Sequence, residues 1–333
     1  MKELFVYKIE FIGNLFCYMV GIIFLLLSIA LVTIFERKFL ASGQRRRGPE
    51  IVGIFGVLQA FADGLKVLTK EVILPQKVSV FLFLFSPIFS FFLTMCMWFV
   101  IPIVCSIETF EFPISVLLVM SLSGMSVLSN VFAGWSSNSK YSLMGGVRAA
   151  SQLISYEMCL LLIMVSVCML AGSVSLVEII KRQEFVWYIF LLFPMFLVFF
   201  IIGLAETNRS PFDLAEAESE LVAGYNVEYS SIVFVFFFLA EYGNLIVMSM
   251  LITCLFLGGG SCLPFFFFSQ NSVCFALKCT VLIYFFLMAR AVLPRFRYDD
   301  LMSLGWTRLF PFCFFNFVYV VVLRVSILNM INV

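Results

Sequence analysis

Long apolar runs separated by short polar segments dominate the chain. A helix needs about 20 apolar residues to cross the hydrocarbon core of a bilayer. Eight runs reach that length, at residues 11–35, 78–105, 114–133, 153–172, 185–204, 232–257, 273–293 and 309–328. Membrane β-strands would instead show short alternating segments. The pattern predicts an all-α fold, a polytopic membrane helical bundle with about eight transmembrane helices, and a single membrane domain over residues 1–333.

Composition narrows the class of protein further. The 333 residues are 63% hydrophobic and 12% charged, whereas soluble domains are roughly 45–50% apolar and about 25% charged. So few charges cannot cover a water-facing surface, which excludes a soluble globular protein and a disordered chain. A net charge of +1 gives no field that would attract nucleic acid.

The basic residues predict how the spans are oriented. Most of the 21 lysines and arginines follow the odd-numbered apolar runs, and such residues gather on the cytoplasmic or matrix side of a membrane. The two longest polar connections, residues 37–77 and 206–231, lie on this positive side. A chain this apolar has little reason to keep two long polar loops on one side unless they have a role there.

The first polar connection contains a predicted amphipathic helix. Gln59, Asp63, Lys66 and Lys70 are spaced by four, three and four residues, so they share one helical face. Such a helix lies in the membrane interface or lines a polar cavity. A simple interfacial anchor is the alternative.

The second polar connection is acidic. The order Ser210, Pro211, Phe212, Asp213 is typical of a helix start. Five acids lie in its first 15 residues: Glu206, Asp213, Glu216, Glu218 and Glu220. They predict either a solvated acidic helix or a chain of carboxylates beside a wet cavity, where repulsion and desolvation favour proton relay.

Two carboxylates fall inside predicted spans. Glu157 lies in the fourth run and Glu241 in the sixth. An acid at mid-helix costs about 2.5–3.5 kcal/mol on insertion scales, so it usually faces the bundle interior and serves a proton or ion path. A hydrogen-bonded structural acid is the alternative. Glu36, beside Arg37, belongs either to such a path or to an interfacial ion pair.

Several kinds of chemistry are excluded. The chain has no histidine, and its ten cysteines form no Cys-x-x-Cys pair, so His-based catalysis, haem, Fe–S and metal sites are not expected. The cysteines are expected to act as small hydrophobes. Residues 258–260, Gly-Gly-Gly, lack the context of a nucleotide-binding loop and predict a turn. Electrons for any redox reaction must come from a partner.

Six segments match, in the same order along the chain, the sequence pattern of a known protein family. They are ERK at 36–38, GVLQAFADGLKVLTKE at 56–71, GWSSNSKYSLMGGVRAASQLISYE at 134–157, AETNRSPFDLAEAESELVAGYNVEY at 205–229, AEY at 240–242 and LPRFRYDDLMSLGW at 293–306. They resemble the NADH dehydrogenase subunit 1 family, the quinone-site membrane subunit of respiratory complex I. Two residues depart from the family pattern: Glu50 stands where the family usually has Asn, and Asp300 where it usually has Gln. Both changes add negative charge near the matrix loops.

The resemblance implies a role and a set of residues. The chain would be a membrane subunit of proton-translocating NADH:quinone oxidoreductase, forming part of the quinone chamber and coupling quinone reduction to proton translocation. Its proton path would comprise Glu157, Glu206, Asp213, Glu216, Glu218, Glu220 and Glu241, with Glu36, Asp63 and Glu71. Its quinone site would comprise Gln59, Ala60, Phe61, Arg37 and Arg295. Ubiquinone or another quinone would be the substrate, with no flavin, Fe–S cluster or metal bound by this chain.

The resemblance also implies partners and a location. The partners would be the quinone-site and terminal Fe–S subunits of the hydrophilic arm, the small membrane subunits leading to antiporter-like subunits, and membrane lipids. The location would be the mitochondrial inner membrane, or alternatively a bacterial plasma membrane. The rival hypotheses are a subunit of a membrane-bound hydrogenase, an independent ion or solute transporter, and a structural anchor.

Overall fold

The computed structural model describes residues 2–102, 112–184, 186–213, 224–261 and 272–331, with side chains from residue 19 to residue 326 of these ranges. Within them the regular secondary structure is helical, without strands. The chain forms two compact units, Met1–Lys70 and Glu71–Val333. The all-α, membrane-bundle fold is confirmed by its long apolar helices, while the single membrane domain stays a prediction.

The first unit consists of two helices and the loop that joins them. Helix α1 is Lys2–Gly43 and α2 is Gln59–Leu68, with a 3₁₀ turn at Ile54–Gly56. The Lys38 ammonium donates a hydrogen bond to the carbonyl oxygen of Phe55, which ties the loop back to α1. Helix α2 is the predicted amphipathic helix.

The second unit holds the remaining described helices. They are α3 Val80–Val100, α4 Ser115–Ser136, α5 Lys140–Ala171, α6 Leu176–Arg182, α7 Tyr188–Leu191, α8 Phe193–Glu206, α9 Ser231–Phe256, α10 Ser272–Val292, α11 Tyr298–Ser303 and α12 Phe310–Ile331. A π-helical turn at Leu304–Leu309 joins the last two.

Seven helical segments in the described ranges are long and apolar enough to cross a membrane, against eight predicted. The difference is the run 185–204, which is divided between α7 and α8. Leu192 leaves the helical conformation between them (φ −119°, ψ 35°), and Pro194 lies in the first turn of α8, where proline is favoured. With 14 residues, α8 is about 21 Å long, which is shorter than a hydrocarbon core of about 30 Å.

Helices α4 and α5 form a hairpin whose backbones approach closely. A Cβ atom on Gly134 would lie 2.9 Å from the Ser142 carbonyl oxygen and 3.1 Å from the Gly146 Cα. Small residues allow such close packing between membrane helices, where van der Waals contact replaces the hydrophobic effect.

A buried aromatic cluster joins this hairpin to neighbouring elements. The rings of Phe83 on α3 and Tyr229 are stacked with centroids 4.1 Å apart, and Phe237 of α9 packs edge-on against Tyr229. Burial raises the pKa of Tyr229, although hydrogen bonds with Ser136 and Ser86 act to lower it. The phenol therefore stays protonated and links α3 and α4 through distances of 3.2 and 3.1 Å.

The cysteines that the structure describes fit the prediction of small hydrophobic side chains with one exception. Those at positions 96, 159, 168, 254, 279 and 313 are not in disulfide bonds, and four of the six are buried. Cys274, however, is disulfide-bonded, so the interpretation of every cysteine as a small hydrophobe was wrong there.

Candidate functional site

A cavity of about 160 Å³ lies where the segment after α8 meets helices α9 and α10. It is lined by Asn208, Arg209, Ser210, Asp213, Asn226, Phe234, Phe238, Glu241, Tyr242 and Arg290. Two carboxylates and two guanidinium groups thus share one space. This mixed charge is suited to binding water and a polar group rather than a purely apolar molecule.

The acidic segment at this cavity is held by an ion pair. The Arg295 guanidinium donates to the Asp213 carboxylate at 3.1 Å, and the Phe296 amide donates to the Pro211 carbonyl at 3.2 Å. Residues 210–213 form a turn and bend rather than the predicted helix start. The predicted helix is not found at these four residues, where contacts with the segment after α10 hold the backbone. Its continuation over 214–220 lies outside the described residues.

Glu241 lies on α9 with its carboxylate at the edge of the same cavity. It is half-buried and accepts a hydrogen bond from the Tyr225 hydroxyl at 3.1 Å. At the next position, the Arg209 guanidinium lies over the Tyr242 ring, 3.9 Å from its centroid. Arg209 itself is 7% exposed, so a positive charge is kept inside the protein close to the acids.

Two smaller cavities have lining residues in common with the first or with each other. The second, about 30 Å³, shares Asn208 and Glu241 with the first, and the third, about 20 Å³, shares Glu206 and Asn244 with the second. A polar site needs roughly 10–15 Å³ of such volume for one water molecule. Each small cavity therefore has room for one or two waters.

Glu206 is the acid between the second and third cavities. It is 8% exposed, and its Oε2 atom is buried without a hydrogen-bond partner among the described residues. Burying an ionised carboxylate without a partner is costly, whereas a protonated carboxyl is tolerated far better. The site therefore suits a group that exchanges a proton.

Glu157 is close enough to Glu206 for their charges to interact. It is half-buried on α5 and faces α4, where a Cβ atom on Gly124 would lie 2.8 Å from its Oε1 atom. Glu157 lines none of the described cavities. Its link to the other acids of the site is therefore a charge interaction with Glu206 and not a shared cavity.

Gln152 fixes the backbone between Glu206 and Asp213. Its side-chain nitrogen donates to the carbonyl oxygens of Ala205 and Phe212, at 3.0 and 2.9 Å, and contacts Asn208 at 3.3 Å. Gln152 is fully buried. It holds the start of the acidic segment against α5.

Sequence reasoning missed the amide and arginine side chains of this site. They are Asn130, Gln152, Asn208, Arg209, Asn226, Asn244 and Arg290. The available signal was position: Asn244 is three residues after Glu241 and hence on the same helical face. A buried amide must find hydrogen bonds, so an in-span amide beside an in-span acid indicates a polar interior.

The first unit brings several other predicted residues together. The Arg37 guanidinium and the Gln59 amide both donate to the Asp63 carboxylate, at 2.5 and 3.0 Å. Partial burial acts to raise the pKa of Asp63, but these hydrogen bonds outweigh it and hold the pKa below its ordinary value. Ala60 is half-buried and Phe61 is 53% exposed on the same helix.

The remaining predicted residues have different environments. Glu36 is buried on α1, at 3% exposure, and Glu71 is exposed in the segment after α2. Glu216, Glu218 and Glu220 lie outside the described residues. Among those described, no group of three or more His, Cys, Asp or Glu side chains could hold a metal ion.

Tyr225→Phe tests whether the Tyr225–Glu241 contact stabilises the site. A hydrogen bond to a charged group contributes about 1.5–3 kcal/mol, so we expect a lower midpoint of thermal unfolding for the purified protein. Tyr319→Phe is the control, because the Tyr319 side chain is 50% exposed and its hydroxyl is not buried. Equal midpoints for the two variants would contradict the prediction.

Comparison with known proteins gives consistent matches. A family model described as NADH dehydrogenase matches residues 17–321. NADH-ubiquinone oxidoreductase chain 1 of Chondrus crispus is 46% identical over 86% of this chain and 89% of its own length. The protein of that name from Cyanidium caldarium is 48% identical, over 87% and 85%. A bacterial relative, one subunit of the NADH-quinone oxidoreductase of Paramagnetospirillum magneticum, is 44% identical, over 87% and 86%.

Proposed function

We propose that this chain, which belongs to the NADH dehydrogenase family and is a membrane subunit of the respiratory NADH:quinone oxidoreductase, complex I, couples quinone reduction to proton translocation. In this proposal the protons pass through the acids that line the three cavities. The observation that carries the proposal is their shared lining. Asn208 and Glu241 belong to the first and second cavities, and Glu206 and Asn244 belong to the second and third.

A proton can use such a series of cavities without a continuous water channel. Water in the small cavities brings hydrogen-bonding groups within reach of one another, and a carboxylate between two cavities can accept a proton from one side and release it to the other. Glu206 has the required position, and its Oε2 atom has no hydrogen-bond partner in the part of the chain that the structure describes. Glu241 has a similar position, because it lines both the first and the second cavity.

The charge of the first cavity suits the beginning of this route. Reduction of a quinone to a quinol consumes two electrons, which come from a partner's redox centre, and two protons. The uptake of electrons before protons creates negative charge, which Arg209 and Arg290 at this cavity can stabilise. A change in the Asp213–Arg295 ion pair would then transmit the effect of this negative charge to Glu241.

We further propose that α2 lines the passage by which the quinone enters. None of its residues is buried. Its apolar side chains Phe61 and Leu65 are 53% and 64% exposed, and Leu58, just before the helix, is 52% exposed. An exposed apolar surface of this kind fits an isoprenoid tail, while the Arg37–Asp63 pair supplies a polar edge for the ring. The alternative is that α2 is only an interfacial anchor, and the next experiment distinguishes these two hypotheses.

Arg37→Met is expected to raise the KM for quinone and to lower the stability of the first unit at neutral pH. Because the folded-state pKa of Asp63 is depressed, its ion pair stabilises the fold above the ordinary Asp pKa, and this contribution disappears as pH falls through the folded pKa. The unfolding midpoints of variant and wild type should therefore converge in acid. KM and midpoints at neutral and acidic pH measure both effects.

Arg46→Met is the matched control, because Arg46 is exposed in the loop after α1. A pure membrane anchor would lose stability in Arg37→Met without any change in KM. An unchanged KM would therefore remove the quinone-passage proposal and leave the anchor.

The comparisons favour this function over the rival hypotheses. The three relatives carry NADH oxidoreductase names rather than hydrogenase or transporter names. For this chain we propose ubiquinone as the substrate and the mitochondrial inner membrane as the location, with a bacterial plasma membrane as the alternative. As partners we propose the quinone-site and Fe–S subunits of the hydrophilic arm and the membrane subunits leading to antiporter-like subunits.

The decisive test is the number of protons moved per NADH oxidised, measured on the intact complex in sealed vesicles. The acids Glu157, Glu206 and Glu241 would be neutralised to glutamine one at a time. A lower ratio or a lower quinone-linked rate supports the proposal. Wild-type rates and ratios in all three variants would remove it.

A further inference from the structure

Two arginine side chains meet at the C-terminal end of α5. Gly172 follows the last residue of α5 with a left-handed backbone (φ 71°). A Cβ atom on Gly172 would lie 2.5 Å from Nη2 of Arg324 and 3.2 Å from Nη1 of Arg182. The guanidinium groups of α6 and α12 therefore lie close together beside the same exposed glycine.

Neither guanidinium group has a partner in the part of the chain that the structure describes. The ion pairs found there involve other arginines, and no hydrogen bond from Arg182 or Arg324 is present. A guanidinium group carries five N–H donors, and two like charges this close repel each other. An anion placed between them would remove the repulsion and satisfy the donors.

A cavity of about 440 Å³ opens beside these two arginines. It is lined by Gly172, Ser173, Ser175 and Lys181, together with apolar side chains and the exposed carboxylate of Glu178. The Ser173 hydroxyl oxygen is buried and has no hydrogen-bond partner among the described residues. An unpartnered hydroxyl is a second, independent sign that a polar ligand group belongs here.

The surroundings indicate what kind of anion fits. Planar guanidinium groups match phosphate oxygens in a bidentate manner. Arg324 lies near the end of an apolar helix, and the side chains before and after it, Val318, Val322 and Val325, are 45%, 61% and 52% exposed. A ligand with a phosphate group and long apolar chains would contact both surfaces at once.

We propose that Arg182, Arg324 and the adjacent cavity bind the phosphate headgroup of an anionic phospholipid, whose acyl chains lie along the exposed valines of α12. The site goes beyond the proposed proton route, and it shares no lining residue with the three cavities of that route. Its occupant would bind to α6 and α12 and so tie these two helices together.

The test uses the intact complex and a photoactivatable phosphatidylglycerol, with adducts mapped to peptides of this chain. In the wild type we expect labelling of the segment around residues 172–182. Charge-assisted hydrogen bonds are the strong ones, so Arg182→Gln with Arg324→Gln should lower that labelling at least about tenfold. Arg308→Gln, an exposed arginine in the other end of the same helical segment, should leave it unchanged.

Competition separates the possible sources of phosphate. Unlabelled phosphatidylglycerol should displace the probe, whereas inorganic phosphate and phosphatidylcholine should not. Equal labelling in the wild type and the double variant, or displacement by inorganic phosphate, would overturn the proposal. If the double variant fails to assemble, Arg182→Gln alone provides the same measurement, because Arg182 is exposed.

Discussion

Glu206→Gln is expected to lower quinone-linked NADH oxidation and proton pumping by about tenfold or more. A positioned side chain that transfers a proton typically contributes about 10²–10⁴ in rate, and glutamine keeps the shape of the side chain but cannot exchange a proton. Glu206 lies between the second and third cavities. Its replacement would therefore interrupt the proposed route at this point.

The measurement compares two reactions of the same preparation. NADH oxidation by a water-soluble artificial acceptor bypasses the quinone, so it should match the wild type and show that the complex is assembled. Glu178→Gln is the control for loss of a carboxylate, because Glu178 is exposed and lines none of the three cavities. Normal pumping in Glu206→Gln would mean that Glu206 is a structural acid.

Gly145→Ala is expected to have the largest effect on stability. A Cβ atom at this position would lie 2.7 Å from both the Cα atom of Gly224 and the backbone nitrogen of Tyr225. These are backbone atoms, so neither can rotate away, and overpacking of this kind costs about 1–3 kcal/mol. The turn Gly224–Asn226 would shift, and with it the Tyr225 hydroxyl that holds Glu241.

The matched control is Gly64→Ala on α2, where an added Cβ atom meets nothing within 4 Å. Alanine is the better helix former, so this variant should be as stable as the wild type or more so. Thermal unfolding and the yield of assembled complex measure both substitutions. Equal behaviour of the two variants would contradict the close approach of α5 to the turn.

The sequence predicted the parts of the fold that depend on length and apolarity alone. An apolar run such as 232–257 is stable in a bilayer only as a helix, and the structure has the helix Ser231–Phe256 there. The run 185–204 is different because its division depends on the backbone at Leu192 and on Pro194. Residues 210–213 likewise follow a local helix-start pattern, but the Arg295–Asp213 contact joins positions 82 residues apart.

The candidate site was predictable only in part for a related reason. An acid inside an apolar run is conspicuous, so Glu157 and Glu241 could be identified from their positions. Charge inside a span is not by itself a sign of function, as Lys278 illustrates. Its ammonium donates to the carbonyl oxygens of Leu257, Gly259 and Ser261, and it closes the end of α9. A functional charge and a structural charge inside a span can be distinguished only by their neighbours in the three-dimensional structure.

The glycine contact between α4 and α5 has a mechanical consequence. Gly134 and Gly146 meet without side chains, so this crossing has no rotamers that could repack to allow sliding. The hairpin must then move as a rigid body, and Glu157 travels with the α4 surface that it touches at Gly124. A conformational change that displaces either helix would therefore tilt α4 and α5 together.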